Sequence, residues 1–328
     1  MATKYIALLL IALPVSGNAV EYRIRRLNLP MTAEVIDMNS HGEVLYRSST
    51  REDRLYYSGR KFTYILTRTG ENIKMPVPAG EDTYFHSYPR GISDDGTICG
   101  IYVNRTGDRQ TGNFIWNYRT GFTPAPPGIN LIDINDQGEV ATDYPGYTNS
   151  VYNYVTGTFT YMDKGLSSIV SIANNGWVVG NGDSYRYGRR LNLQDTATVR
   201  PQGVTDNGYF YGYLFRLTGV SEMRIWNPDG SIRGHVSCGT ALLLTFNSHL
   251  EGVGSCARNP MSGWPVYYSP ETGVVDFHTI IVNFNDPYPL QYVQFLQDNG
   301  LALAYAKFTF LPDVIPWGKY YLLEPIRD

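Results

Sequence analysis

Charge is scarce in this chain. Of 328 residues only 27 are Lys or Arg and 30 are Asp or Glu, which leaves a formal net charge of −3. A near-neutral chain lacks the basic footprint of a nucleic-acid binder, so no nucleic-acid partner is expected. Histidine is scarcer still, with five in all. No pair of them has metal-ligand spacing such as His-x-x-x-His, so neither a metal nor a cofactor is expected. There is no Gly-x-Ser-x-Gly elbow, no His-Glu-x-x-His pair and no phosphate loop, which removes the common signatures of hydrolases, zinc proteases and nucleotide enzymes. Long apolar runs are missing beyond the first residues, so no membrane span is expected in the mature chain.

The first residues read as a targeting segment. Lys4 supplies a positive start, Tyr5 to Val15 form an apolar stretch, and Gly17-Asn18-Ala19 is a small-residue cleavage site. Residues 1–19 are therefore expected to be a signal peptide, and residues 20–328 a single exported domain, whether periplasmic, surface-bound or secreted. An oxidising destination suits the three cysteines. Cys238 precedes the strand Ala241–Phe246 and Cys256 ends its hairpin partner, so a Cys238–Cys256 disulfide is expected from opposed positions in a hairpin. Cys99 takes the place of an apolar residue in a repeat and reads as a buried free thiol.

What the chain has in abundance is turns and aromatics: 33 Gly, 19 Pro and 27 Tyr. The turns are periodic. Asp133-Ile134-Asn135-Asp136-Gln137-Gly138-Glu139-Val140 reads as strand, polar turn and strand. Ile92–Gly100, Ile172–Gly180, Val204–Gly212 and Leu296–Ala304 follow the same rule. Met38–Leu45 lacks the closing Gly, and Phe246–Gly254 has Leu250 where the turn Gly belongs. The turn positions 42, 96, 138, 176, 208, 250 and 300 lie 32 to 54 residues apart. Asn, Asp and Gly tolerate positive φ and join strands tightly. The run after each Gly, such as Trp177-Val178-Val179, is apolar without alternation, as in a strand buried on both faces. Between the hairpins, aromatic strands such as Asn113–Phe122 and Met223–Ile232 recur, each broken by a Gly turn.

A period near 40–50 residues, four short strands to the unit, predicts a propeller. The expectation is an all-β, seven-bladed β-propeller of four-stranded blades. The N-terminal strand, within residues 21–29, completes the last blade beside residues 319–324 and closes the ring. The protein is expected to be monomeric.

These hairpins and the Phe-x-Trp-like strands resemble the extracellular HAF-repeat proteins, in which an Ile-Asn-x-x-Gly-x-Val-x-Gly hairpin alternates with an Ala-Phe-x-Trp strand. The hairpin half is well kept. The other half departs, with Asn113-Phe114 and Arg224-Ile225 in the Ala-Phe position. The resemblance implies a secreted propeller and carries no catalytic residues with it. The Ser-x-Asp-x-Gly-x-Thr-Trp box of sialidase-like propellers is absent as well.

Three functional readings follow, the third being an envelope or surface assembly component. The first is an exported non-catalytic binding module that recognises a glycan or protein partner through its loop-rich face. The longest connections bring Arg51, Arg54, Tyr56, Tyr57, Phe85, His86 and Tyr288 to three neighbouring blades, and Arg and Tyr are enriched at binding hot spots. The alternative is a carbohydrate-active hydrolase or lyase with carboxylates in the central pocket. Among so many Asp and Glu residues the sequence nominates no pair. The turn-tip Asp and Asn residues read as turn formers, since turns on separate blades are expected to diverge and to offer calcium no common point.

Overall fold

A computed structural model describes residues 20–326 apart from 31, 50–60, 79–85, 104–110, 144–148, 163–166, 182, 187–188, 197–198, 216–220, 239–240, 258–262, 287–288 and 309–316. The segment assigned to a signal peptide lies outside the described residues.

The described strands form six four-stranded sheets and one five-stranded sheet. In chain order, the first sheet comprises Glu34–Met38, Val44–Ser48, Phe62–Leu66 and Asn72–Lys74. The second comprises His86–Ile92, Thr97–Val103, Thr111–Asn117 and Gly121–Thr123, and the third Asn130–Ile134, Glu139–Asp143, Ser150–Asn153 and Thr158–Tyr161. The fourth holds Ser167–Ile172, Val178–Asn181, Asp183–Arg186 and Arg189–Asn192. The fifth holds Val199–Val204, Phe210–Phe215, Ser221–Trp226 and Ile232–Val236. The sixth holds Ala241–Phe246, Gly252–Ala257, Gly263–Ser269 and Gly273–Asp276. Each is an antiparallel meander whose first turn is a repeat hairpin. At those turns Gly42, Gly96, Gly138, Gly176, Gly208 and Gly300 all have positive φ, and Leu250 adopts φ 61° in the same place.

Seven uniform four-stranded units were expected, and here the structure differs: six sheets have four strands and the last has five. Tyr292–Leu296, Ala302–Phe308 and Trp317–Pro325 supply three strands, and Tyr22–Arg26 is the fourth, antiparallel from Tyr22 against Pro325 to Arg26 against Tyr321. The fifth is the two-residue strand Ile281–Val282, which pairs parallel to Tyr22–Arg23 beyond a short 3-10 turn. It covers the edge that the N-terminal strand would otherwise expose.

The core explains why the second strand of each unit is apolar throughout. Val44 and Tyr46 pack towards the last sheet, while Leu45 between them packs towards the second. Ile98 and Cys99 divide in the same way between the first and third sheets, and Val178 and Val179 between the third and fifth. Every buried cluster fills the wedge between consecutive sheets. The wedge between the last sheet and the first is filled too, by Leu301, Leu303 and Leu322 against Val35 and Met38.

The innermost strands share a second feature. In six of them the register slips at a shared place, leaving a bulged residue in the strand, and in Ser167–Ile172 it slips at a second place as well. Ile36, Arg90, Ile132, Val170, Gln202 and Gln294 occupy that place. Only the inner strand of the sixth sheet runs unbroken, from Ala241 against Ala257 to Phe246 against Gly252.

Candidate functional site: the axial ring and the channel wall

The turn residue two before each Gly position lies on the axis. Ser40, Asp94, Asp136, Asn174, Asp206, Ser248 and Asp298 all line one cavity of about 400 Å³. The turns therefore converge, contrary to the divergence expected. Their reason is a head-to-tail chain of hydrogen bonds. Ser40 donates its N–H and Oγ–H to Asp94 at 2.8 and 2.5 Å. The Asp94 N–H donates to Asp136 Oδ1 at 2.5 Å, and the Asp136 N–H to Asn174 Oδ1 at 2.7 Å. Asn174 donates its N–H to Asp206 Oδ1 at 2.7 Å and its Nδ2 to both flanking carboxylates. The Ser248 N–H donates to Asp298 Oδ1 at 2.7 Å. Asn207 Nδ2 and Asn299 Nδ2 donate to the carbonyls of Ser248 and Ser40, carrying the chain across the remaining junctions.

The residue just before the Gly serves its own turn, as expected of a turn former. Asn175 Oδ1 accepts from the Trp177 N–H, Asn299 Oδ1 from the Leu301 N–H, and Asp95 Oδ1 from the Thr97 N–H. Burial raises the carboxyls of Asp136 and Asp206 above the ordinary range despite these hydrogen bonds, with neighbouring aspartates adding to the rise. Among the described residues no group of three or more His, Cys, Asp or Glu side chains is arranged to hold a metal ion.

Two further carboxylates stand on the innermost strands of the first and third sheets. Asp37 accepts from the Met38 N–H at 2.8 Å and, across the junction, from the Ile92 N–H of the second sheet at 3.0 Å. Asp133 does the same with Ile134 at 2.9 Å and Ile172 of the fourth sheet at 3.0 Å. Burial pushes Asp37 up to about 7, with the charge of Asp133 adding to it. Burial likewise pushes Asp133 up to about 6. Gly91 stands at the equivalent place between them, where a Cβ would come within 2.8 Å of Asp133 Oδ1. Neither aspartate was singled out from the sequence. The signal that finds them is positional: both lie five residues before a turn position, where the other repeats carry Gly91, Ser171, Gly203, Thr245 and Phe295.

Of the loop residues nominated for binding, Arg51, Arg54, Tyr56, Tyr57, Phe85 and Tyr288 lie outside the described residues. His86 is described. It opens the innermost strand of the second sheet and is buried, so it does not present itself on a loop surface as expected. Cys238 and Cys256 are bonded, their Cα atoms 6.3 Å apart. They are not opposed in the hairpin: Cys256 pairs with Leu242, and Cys238 reaches it from the segment leaving the fifth sheet. Cys99 is buried and free, and burial raises its thiol well above the usual range.

No family model matches the chain, and no curated protein does. Among solved structures it is similar to the β-propeller domain of the Trilobed protease from Pyrococcus furiosus, described as having an open velcro topology. That match has a TM-score of 0.59 at 9% identity and covers 90% of this chain and 98% of that one. BamB from Moraxella catarrhalis is matched at a TM-score of 0.43 and 12% identity over 92% of this chain and 98% of that chain. Prolyl oligopeptidase B from Galerina marginata is matched at 0.47 and 10% identity, over 84% of this chain and 47% of that one. The fold is an all-β propeller.

Proposed function

We propose that the protein is an exported, non-catalytic seven-bladed propeller that binds a glycan or a protein partner, its five-stranded sheet being the blade that closes the ring. The observation that carries this reading is how the axial carboxylates are used. Asp37, Asp133, Asp94, Asp136, Asp206 and Asp298 each accept backbone N–H bonds from an adjacent sheet. Groups so engaged hold the scaffold together, and a rigid scaffold leaves recognition to the connections it carries. The repeat hairpins are in keeping with the HAF-repeat resemblance. We place the contact surface on the loop-rich face, with Arg51, Arg54, Tyr56, Tyr57, Phe85 and Tyr288 contributing.

A second reading keeps one observation in its favour. Asp37 and Asp133, raised by burial to about 7 and about 6, have the proton affinity of a general acid and base. A carbohydrate-active hydrolase or lyase would use such a pair.

The test is a glycan and protein-partner screen of the wild type beside an Arg54→Ala/Tyr57→Ala variant and an Asp37→Asn/Asp133→Asn variant. Binding without turnover, lost in the loop variant, is the expected result. Turnover of a bound glycan that disappears in the aspartate variant would replace this reading by the enzymatic one.

A further inference from the structure

The sixth sheet breaks the repeat in three ways. Its inner strand has no bulge, its turn carries Leu250 in place of Gly, and it alone is tied by a disulfide among the described residues. A bulge bends a strand and adds a residue to it. The inner strand of the sixth sheet lacks that extra residue. There, between the fifth and last sheets, lies a cavity of about 420 Å³. Departures from an otherwise consistent pattern are where function is most often found.

The wall of this cavity has a definite chemistry. Gln202 and Gln294 present amides, Thr245 and Ser255 hydroxyls, and Tyr211 and Tyr292 aromatic rings with phenolic groups. Burial raises both tyrosines to about 12, so their hydroxyls stay neutral donors at ordinary pH. No Asp, Glu, Lys, Arg or His lines it. An ion entering it would lose hydration without gaining a counter-charge. A wholly apolar ligand would leave the amides and hydroxyls without hydrogen-bond partners, which is costly. One acceptor is stranded already: Gln294 Oε1 is buried with no hydrogen-bond partner among the described residues. A hydroxyl donor in the cavity satisfies it after a rotation of the amide. The ligand that fits carries many hydroxyls, no charge and apolar ring faces to lie on tyrosine.

We infer that the cavity beside the inner strand of the sixth sheet is a binding site for a neutral carbohydrate, with Gln294, Thr245 and Ser255 hydrogen-bonding its hydroxyls and Tyr292 and Tyr211 bounding its faces. Its volume lies at the small end of ligand pockets, which suits one or a few sugar rings. This deepens the glycan branch of the proposed function and rests on that reading.

Saturation-transfer NMR with glucose, galactose, maltose, cellobiose and, as the charged control, glucuronate tests it. Three proteins are compared: the wild type, Thr245→Val/Gln294→Leu, which keeps the volume and removes the polar groups, and Arg54→Ala/Tyr57→Ala. The expected result is saturation of at least one neutral sugar but not of glucuronate. The cavity variant should bind about tenfold more weakly or worse, with its melting transition retained, and the loop variant should bind as the wild type does. Two results overturn the inference: no neutral sugar saturating, or undiminished binding in the folded cavity variant. If binding fails only in the loop variant, the cavity assignment falls and the loop-face reading stands. Should the cavity variant not fold, Ser255→Ala replaces it, with the same expectation of weakened binding and the same overturning result.

Discussion

At the scale of single residues, Asp37 and Asp133 show how one position can carry both architecture and a pH response. Each bridges its own strand to the next sheet through two N–H bonds, and burial lifts each pKa, to about 7 and about 6. The folded chain therefore binds protons that the unfolded chain, with carboxyls near their ordinary value, has released. Stability from these groups is fully present below about pH 4 and falls as pH rises through 6 and 7. Thermal melts from pH 5 to 8 should show the wild type losing stability with rising pH. Asp37→Asn should flatten that slope even where its absolute stability is lower for want of one acceptor. Glu34 does not confuse the measurement. Hydrogen bonds from Arg47 and Lys61 outweigh burial and hold it down at about 2, so it titrates outside this window. An unchanged slope in Asp37→Asn would show that the residue does not titrate there.

At the scale of elements, the hairpins were legible because their chemistry is local. A Gly at positive φ, an Asn or Asp before it and an apolar run after it specify strand, turn and strand with no knowledge of the rest of the chain. Leu250 shows the limit of that rule. It takes φ 61° as a non-Gly residue because its side chain is buried in the wedge with Phe246 and Leu244. The bulges left no mark on the pattern, since Ile36, Arg90 and Gln202 share a position and no chemistry. The short strand Ile281–Val282 was illegible for the same reason, being defined by the edge it covers and not by its own residues. The disulfide belongs to this scale too. Cys238–Cys256 ties the segment entering the sixth sheet to its second strand across a separation of 18 residues. In the chain-entropy account a loop of that length contributes about 3 kcal/mol. The variant Cys238→Ser/Cys256→Ser should lose roughly that amount in urea unfolding. In the native wild type without reductant, a thiol reagent should find no reactive group until unfolding releases Cys99. Labelling of Cys238 in the folded, unreduced protein would contradict the bond.

At the scale of the whole molecule, the sheets are held to one another in three ways: by the apolar wedges, by the N–H bonds that Asp37 and Asp133 accept across the junctions, and by the turn-tip chain. All three favour a single cooperative unit over a stack of independent repeats. The junction between the last sheet and the first decides whether the unit is closed. There Gln297 Nε2 donates to the Met38 carbonyl and Asn299 Nδ2 to that of Ser40, beside the shared apolar wedge. The strand Tyr22–Arg26 completes the last sheet from the opposite end of the chain. Tyr22 is its anchor, 1% exposed, with Phe277 at 5.1 Å and Tyr267 at 6.4 Å between ring centroids. Truncating a buried aromatic of this size removes about 3–5 kcal/mol. Tyr22→Ala should lower the unfolding free energy by that amount while keeping one transition, because every wedge still depends on its neighbours. Removing residues 20–29 should cost more, since it strips the partner of Tyr321–Pro325 and bares a long edge that invites association. Calorimetry and light scattering read both effects together. A truncated protein that melts at the wild-type temperature and stays monomeric would mean that the sheets hold together without the N-terminal strand. A Tyr22→Ala protein with two separate transitions would mean that the last sheet folds apart from the rest.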